Sequence, residues 1–452
     1  MQKVLWSEAA LLPTGWASNV RVTVKDGLIS SVQSDISDAA GAERAGVVVP
    51  GLCNVHSHSF QRGMAGLAEV RGPSDDDFWT WRAWMYRFLD RLGPEEIEAV
   101  AAQAFMEMLE SGFTRVGEFH YLHHAPDGHP YDNPAETAER ICAAAAQVGI
   151  GLTLLPTFYA HGGFGGAPPT AGQRRFINDV DGFLDLVERS RSPVAALTGG
   201  VVGLSPHSLR AVTPVELARL LQAAPEGPIH IHAAEQVREV QDCLAWSGRR
   251  PVAWLLDHAE VDARWCLIHA THVDDDELVR LARTCAVAGL CPITEANLGD
   301  GVFPAKAFAN AGGRFGVGTD SNVLIDAAGE LRTLEYSQRL ALRSRNVLAG
   351  PLNPSAGATL FKAALDGGGQ AMGVATGIAV GASADFLELD RTAAALASRG
   401  QDALLDGWLF AGRFREIKTV WRAGVRVVEG RRHIHRDQVE RRYAKALERL
   451  VA

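Results

Sequence analysis

The sequence has few cysteines, and none of them forms a close pair. Six of the 452 residues are cysteine, and no Cys-x-x-Cys motif is present. Most of the cysteines lie in apolar stretches, such as Trp-Cys-Leu-Ile at 265–268, which predicts buried free thiols. A chain of this length can form a core of normal size without disulfides.

Long apolar runs are also missing. No run approaches the roughly 18 residues that a membrane-spanning helix needs. The first residues, Met-Gln-Lys-Val-Leu-Trp, lack the basic and then apolar segments with which a secretory signal begins. We therefore expect a cytoplasmic protein with no membrane partner.

Positive charge is in deficit. Lysine and arginine total 44 against 53 acidic residues, which gives a formal net charge of −9. This balance argues against nucleic acid or an anionic membrane surface as the main partner. A local basic pocket for a small anionic substrate is still compatible with it.

Both ends of the chain have the pattern of β-strands. Residues 20–24 alternate in polarity, Asp26-Gly27 supplies a turn, and the alternation resumes at 28–32. Near the other end, residues 417–421 and 425–428 form a second hairpin pattern. The N-terminal part alone is too short for a stable core, so one small domain built from both ends is favoured over two separate ones.

Between these ends, short apolar strands alternate with alanine-rich helical runs, which is typical of repeated βα units. The predicted fold is therefore α/β, a (β/α)8 TIM-type barrel with a small β-sandwich domain formed from both chain termini. A doubly wound sheet is the alternative, but no Gly-x-Gly-x-x-Gly turn follows the first strand. The predicted barrel strands are residues 47–49, 115–118, 151–156, 199–204, 229–231, 266–268, 287–290 and 314–317.

This pattern predicts three regions along the chain. Residues 1–48 and 376–452 form the β domain, and the second of these segments includes a C-terminal helix. Residues 49–375 form the (β/α)8 barrel.

A histidine pair follows the first predicted barrel strand. Residues 50–58 read Pro-Gly-Leu-Cys-Asn-Val-His-Ser-His. In an extended chain, residues i and i+2 point the same way, so His56 and His58 can present two imidazoles to one ion. The carboxyl ends of the strands form the face where barrel active sites lie. Two structural polar residues at a strand end are the alternative for this motif alone.

Further polar residues follow later strands. The segment Ile-His-Ile-His-Ala-Ala-Glu ends in Glu235, three residues after His232. A carboxylate there can carry protons beside a metal-activated water. His269 and Asp320 each follow another apolar strand. Taken singly, each has a structural alternative: a helix-start charge for Glu235, a core histidine for His269 and a helix N-cap for Asp320.

The order of these motifs resembles the amidohydrolase superfamily. His-x-His after strand 1, His-x-x-Glu after strand 5, His after strand 6 and Asp after strand 8 form its pattern, and the resemblance covers nearly the whole chain. It implies that Glu235 passes a proton to the substrate nitrogen, while His269 and Asp320 orient or deprotonate the water. The metal ligands that it implies are His56, His58, His232 and Asp320.

The resemblance also bears on the number of ions. Binuclear members carry a carboxylated Lys or a Glu at the end of strand 4, and residues 201–207, Val-Val-Gly-Leu-Ser-Pro-His, contain neither. One ion per subunit is therefore expected. Zn²⁺ suits imidazole and carboxylate ligands with one open position, and Fe²⁺ is the alternative. Whether His269 touches the ion or only the water stays open.

Four segments resemble the formimidoylglutamate deiminase family of bacterial histidine degradation. Residues 56–67 are followed by Phe-Trp-Thr-Trp-Arg-Ala-Trp-Met-Tyr at 78–86. Phe-His-Tyr-Leu-His-His at 119–124 and Ser-Pro-His-Ser-Leu-Arg at 205–210 agree with the same family. The resemblance implies hydrolysis of N-formimidoyl-L-glutamate to N-formyl-L-glutamate and ammonia by a metal-activated water, in a homodimer.

That substrate is a small dicarboxylate, which needs at least two cationic or strong donor groups. Three of the residues that could bind the carboxylates also have structural alternatives. These are stacking on neighbouring tryptophans for Arg82, a surface helix start for Arg210 and core packing for Tyr121. His120, His123, His124 and His230 are expected to stay outside the metal shell. The substrate-binding residues that the resemblance implies are Gln61, Arg82, Tyr121, His207 and Arg210.

Two other functions are compatible with parts of the pattern. A deaminase of the same branch acting on a purine, an adenosine derivative or a triazine would share the metal ligands, but its neutral flat substrate needs no pair of arginines. A non-catalytic barrel would be marked by lost ligands, and the chain retains them all.

Overall fold

The computed structural model describes residues 2–71, 77–223, 226–350, 353–413 and 415–451. Two sheets organise these residues. The strands in chain order are β1 (Gln2–Leu12), β2 (Gly15–Lys25), β3 (Leu28–Gln33), β4 (Glu43–Pro50), β5 (Leu52–Ser57), β6 (Phe113–His120), β7 (Gly151–Phe158), β8 (Val201–Val202), β9 (Ser205–Pro206), β10 (Ile229–Ala233), β11 (Trp265–His269), β12 (Val287–Leu290), β13 (Arg314–Val317), β14 (Phe386–Leu389), β15 (Ile417–Arg422), β16 (Val425–Glu429) and β17 (Arg432–His433).

Helices occupy most of the sequence between the barrel strands. Two short 3₁₀ helices, Ser59–Met64 and Ala171–Gln173, lie at the carboxyl face of the barrel. The α-helices are α1 (Phe78–Leu89), α2 (Pro94–Ser111), α3 (Glu136–Val148), α4 (Val180–Ala195), α5 (Pro214–Ala223), α6 (Val237–Ser247), α7 (Pro251–His258), α8 (Asp275–Arg283), α9 (Pro292–Leu298), α10 (Ala305–Asn310), α11 (Ala327–Leu342), α12 (Ala356–Met372), α13 (Asp402–Ala411) and α14 (Arg436–Val451).

The central sheet is a closed parallel barrel. Its strands follow the order β10-β11-β12-β13-β5-β6-β7-β8, and β9 pairs with β7. A parallel bridge between Leu204 and Ile229 joins its two edges. Every residue of β6 and β7 is buried, as expected for parallel strands covered on both faces. The predicted TIM-type barrel is confirmed, and its closure brings the carboxyl ends of all the strands to one face.

The first barrel strand differs from the prediction. Residues 47–49 lie in β4, which pairs with β1 and β14 in the other sheet, whereas the barrel begins with β5. Both strands are apolar and only Gly51 separates them. A Cβ on Gly51 would lie 2.3 Å from Thr114 side-chain atoms, so glycine allows the chain to cross between the two sheets there. The strand predicted at 199–204 is shorter, at Val201–Val202.

The second sheet joins the two ends of the chain. Its order is β17-β16-β15-β14-β4-β1-β2-β3, with β1 and β4 parallel and the other pairs antiparallel. The predicted small β domain built from both termini is confirmed, and both predicted hairpins are present. Their two-residue turns, Asp26-Gly27 and Ala423-Gly424, have positive φ at both positions, as a type I′ turn requires.

The boundaries at 1–48, 49–375 and 376–452 stay a prediction, although β4 carries the N-terminal part of the sheet on to Pro50. Among the residues that the structure describes, no helix has both the length and the hydropathy that crossing a bilayer requires.

Candidate active site

Four predicted metal ligands meet at the carboxyl face of the barrel. His56 lies at the end of β5 and His58 directly follows it, His232 lies in β10, and Asp320 follows β13. Their ligand atoms all lie within 4.8 Å of one another, and all four side chains are buried. The barrel thus brings together residues that are up to 264 positions apart in the sequence, as His56 and Asp320 are.

Three of the separations between ligand atoms are close to those expected around a metal ion. His56 Nε2 lies 3.1 Å from His232 Nε2 and 3.2 Å from Asp320 Oδ1. His58 Nε2 lies 3.3 Å from the same carboxylate oxygen. Zinc bonds to nitrogen and oxygen of about 2.0–2.1 Å imply ligand separations of about 3.3–3.4 Å in a tetrahedron. The cluster therefore has the size and the donor set of a metal site.

Two of the imidazoles are oriented by backbone carbonyls. His58 Nδ1 lies 3.0 Å from the Phe119 oxygen, and His232 Nδ1 lies 2.9 Å from the His207 oxygen. A carbonyl only accepts, so each Nδ1 carries the hydrogen and each Nε2 presents its lone pair to the cluster. Burial lowers the pKa of His58 and of His232, and it lowers the pKa of His56 to about 3. All three rings are therefore neutral, as metal ligands must be.

The loop after β13 holds Asp320 against the end of β5. The backbone oxygen of Asp320 accepts the backbone N–H of His58 at 2.9 Å, and the backbone N–H of Asp320 donates to the backbone oxygen of His56 at 2.9 Å. A Cβ on Gly318 would lie 2.7 Å from the backbone of His56, so only glycine permits this approach. Burial would raise the pKa of Asp320, but the hydrogen bond to His56 holds that pKa below its usual range.

A second group of titratable residues borders the cluster. His269 Nε2 lies 3.8 Å from Glu235 Oε1 and 3.9 Å from Asp320 Oδ2. On its other side, His269 Nδ1 lies 3.3 Å from Glu295 Oε1. Burial disfavours the charged ring, but these three carboxylates raise the pKa of His269 to about 10. His269 thus lies between the carboxylate of the metal cluster and that of Glu235.

Glu235 has the environment of a proton carrier. It precedes α6, outside the first turn of that helix, and its carboxylate lies 3.9 Å from Arg210 Nη2. Burial raises the pKa of Glu235 to about 7, while His269 and Arg210 act in the opposite direction. A carboxyl group that titrates near neutral pH can both take up and release a proton under working conditions.

One cavity collects the predicted substrate-binding side chains beside these groups. Phe78, Trp81 and Met85 of α1 form part of its wall, and Leu298 of α9 another part. Gln61 Oε1 and Arg210 Nε are buried and have no hydrogen-bond partner among the described residues. The predicted residues that line this cavity are His58, Gln61, Arg82, Tyr121, His207, Arg210, His232, Glu235, His269 and Asp320.

The structural alternatives for the two arginines can be compared with this geometry. Arg82 lies 5.6 Å from the ring of Trp79, so it does stack on a tryptophan, but it also lines the cavity. Arg210 is 8% exposed and lies 5.9 Å from the same ring, so it is not a surface residue. Tyr121 is buried, and its hydroxyl faces the amide of Gln61 at 3.3 Å.

Sequence reasoning missed three residues that contact this machinery. Glu295 bonds the far side of His269, Tyr159 bonds Arg82 at 2.8 Å, and Gln173 bonds Tyr159 at 2.7 Å. Tyr159 directly follows β7, and that position at a strand end was the available signal. Glu295 and Gln173 lie on short helices without a motif.

The remaining histidines near the barrel each hydrogen-bond a protein group through one ring nitrogen. His120 bonds the Thr137 hydroxyl, and the other three bond backbone carbonyls. None of the four belongs to a potential metal cluster among the described residues. The histidines in question are His120, His123, His124 and His230.

Comparisons with known proteins identify the family and agree with the fold. Residues 47–427 match the Amidohydrolase family, and residues 2–46 match the N-terminal domain of the formimidoylglutamate deiminase HutF. The chain is 52% identical to formimidoylglutamate deiminase of Pseudomonas aeruginosa over 99% of both chains. It is 28% identical to a 5-methylthioadenosine/S-adenosylhomocysteine deaminase of Natronomonas pharaonis, over 76% of this chain and 73% of that one.

Solved structures show the same architecture. An amidohydrolase from Brucella melitensis matches with a TM-score of 0.96 and 56% identity, covering 100% of both chains. An adenosine deaminase from Xanthomonas campestris with bound zinc matches with a TM-score of 0.81 and 22% identity, covering 99% of this chain and 98% of that one. The second similarity, at this low identity, concerns the fold alone.

Proposed function

This chain belongs to the amidohydrolase family and, within it, to the formimidoylglutamate deiminases, and we propose that it hydrolyses N-formimidoyl-L-glutamate to N-formyl-L-glutamate and ammonia in histidine degradation. The observation that carries this proposal is one cavity in which two arginines lie beside the metal cluster. Two guanidiniums match the two carboxylates of this substrate. The purine and adenosine deaminases need no such pair, and those among the relatives are far more distant.

We propose one Zn²⁺ per subunit, with Fe²⁺ as the alternative. The support is the set of three neutral imidazoles and one carboxylate, whose ligand atoms all lie within 4.8 Å of one another. Two of the similar solved structures, the adenosine deaminase and an atrazine chlorohydrolase, contain zinc. When bound, such an ion supplies a water molecule acidified to a pKa of about 7.

We assign the proton transfer that the reaction requires to Glu235. Water adds to the formimidoyl carbon, the carbon–nitrogen bond to the terminal nitrogen breaks, and that nitrogen leaves as ammonia. Glu235 takes a proton from the attacking water and delivers it to the terminal nitrogen. The second water proton moves to the same nitrogen when the added hydroxyl becomes the formyl carbonyl, so that nitrogen leaves as ammonia. Asp320 and His269, which face each other at 3.9 Å, orient the water for attack.

The cavity also orients the substrate. Arg210 lies 3.9 Å from Glu235, so it holds the carboxylate nearer the reacting end, which is the α-carboxylate. Its buried Nε is free to donate to that group. Arg82 then receives the side-chain carboxylate. Gln61 Oε1, which has no partner among the described residues, can accept from the nitrogen on the α-carbon.

The test is ammonia release from N-formimidoyl-L-glutamate, compared with release from guanine and adenosine. We expect turnover of the first compound only. Turnover of guanine or adenosine with none of N-formimidoyl-L-glutamate would favour the alternative deaminase. Metal analysis of the same preparation should find one equivalent of zinc or iron, and a metal-free active protein would contradict the proposed cofactor.

Two further expectations accompany this proposal. The homodimer can be checked by light scattering on the purified protein, where a monomer mass of 48.5 kDa would contradict it. The cytoplasmic location expected from the sequence stays a prediction, which fractionation of the producing cells can check.

A further inference from the structure

The hydroxyl of Tyr159 occupies an unusual position beside the cavity. Tyr159 follows β7, at the carboxyl face of the barrel, and its side chain is buried. Its oxygen lies 2.8 Å from Arg82 Nη2 and 2.7 Å from Gln173 Nε2. Its ring lies 4.5 Å from the ring of His207, so it contacts two residues that line the cavity.

The orientation of the Gln173 amide follows from a backbone group. Thr170 N–H lies 2.7 Å from Gln173 Oε1, and the Thr170 hydroxyl lies 3.1 Å from the same atom. A backbone N–H can only donate, so the atom that faces it must be the amide oxygen. The nitrogen of Gln173 is therefore the atom that faces Tyr159, and it donates to the phenolic oxygen.

The donors around the Tyr159 oxygen determine which hydrogen bond its own hydroxyl can make. The guanidinium of Arg82 has donors only, so the tyrosine oxygen accepts both of its hydrogen bonds. Its own hydrogen must point in a third direction. Among the residues that the structure describes, none accepts that hydrogen. A buried donor without an acceptor is costly, which suggests that a ligand completes this site.

We propose that Tyr159 donates a hydrogen bond to the side-chain carboxylate of the substrate, next to Arg82. This inference rests on the proposed function. The Arg82 guanidinium lies against Tyr159 and, at 5.3 Å, the ring of Tyr86, whereas Arg210 approaches Glu235. The donor pair of Arg82 and Tyr159 thus serves the carboxylate that lies farther from the reacting carbon. Gln173 is a positioning residue, because it acts on the substrate only through Tyr159.

The first experiment is Tyr159→Phe, with Tyr443→Phe as the matched control. The Tyr443 hydroxyl donates a partly buried hydrogen bond to the backbone oxygen of Arg62, and Tyr443 does not line the cavity. We expect Tyr159→Phe to raise KM for N-formimidoyl-L-glutamate about 10- to 100-fold, as for a lost hydrogen bond to a charged group, with kcat within about 3-fold of wild type. For N-formimidoylglycine, which lacks the side-chain carboxylate, KM should be the same for wild type and Tyr159→Phe.

The second experiment separates direct donation from an effect on Arg82. In an Arg82→Met background, Tyr159→Phe should still weaken binding of N-formyl-L-glutamate, measured by calorimetry. No further loss in that background, or an equal loss for N-formimidoylglycine, would overturn the inference. An inactive wild type would refute the proposed function instead. In that case, calorimetry with glutarate would still test the dicarboxylate site. Equal affinity of wild type and Tyr159→Phe for glutarate would overturn the role inferred for Tyr159.

Discussion

Replacing Glu235 with glutamine tests the central step of the mechanism. Glutamine keeps the size and one oxygen of the side chain, but it cannot carry the proton. Glu235 lies outside the cluster of four metal ligands, so metal binding should not change. Its neighbours His269 and Arg210 lie 3.8 Å and 3.9 Å away, beyond hydrogen-bonding distance, so the substitution breaks no close contact with either of them.

The expected size of the effect follows from the role of the residue. General acid–base catalysis by one side chain contributes roughly 10²- to 10⁴-fold to the rate, or about 3–5 kcal/mol of barrier. We therefore expect Glu235→Gln to lower kcat by at least 100-fold. KM should change little, because the arginines that hold the carboxylates are untouched.

The assay combines steady-state ammonia release with metal analysis of each preparation. Glu330→Gln is the matched control. Glu330 is also a buried glutamate, but its side chain does not line the cavity. Among the described residues, only one of its carboxylate oxygens accepts a hydrogen bond, from the Ile293 N–H at 2.9 Å, which the glutamine oxygen can keep. A kcat within about 3-fold of wild type for Glu235→Gln, at equal metal content, would refute the assigned role.

Three further outcomes are expected. Arg82→Met should raise KM for N-formimidoyl-L-glutamate by about 30-fold or more with a smaller effect on kcat, and an unchanged KM would refute carboxylate binding by Arg82. Removal of the metal by a chelator should abolish turnover and lower the melting temperature, because four buried ligands lose their common partner, and zinc should restore both; a chelated enzyme of full activity would contradict this. Burial raises the pKa of Glu118 to about 7, so the folded protein binds this proton more tightly than the unfolded chain, and stability should fall as the pH rises from about 4.5 to 7. Urea unfolding of Glu118→Gln should lack this part of the pH dependence, and identical curves for both proteins would contradict it.

Much of the architecture could be predicted from the sequence because it depends on local patterns. The β-hairpins at both ends and six of the eight barrel strands lie where the alternation and the apolar runs indicated. The predicted position of the first barrel strand was wrong because β4 and β5 are both short and apolar. The residue pattern of a strand does not indicate which sheet the strand joins. Here two consecutive strands, separated by one residue, belong to different sheets.

The candidate site could likewise be predicted from the sequence only in part. The family resemblance implied the ligands and the cavity residues, and the closed barrel brings them to one face. Glu295 and Gln173 had no motif, because their importance comes from contacts with His269 and Tyr159. Those contacts join segments that come near each other only once the barrel has closed.

The sequence by itself determined the residue types and their order along the chain. Parallel strands present their carboxyl ends at one face, so His56, His232 and Asp320 could be assigned to one site before any distance was known. Only the tertiary structure decided the separations of the ligand atoms and the surroundings of Glu235. It also decided the direction of the Tyr159 hydroxyl hydrogen, because that depends on which donors from distant segments already occupy the oxygen.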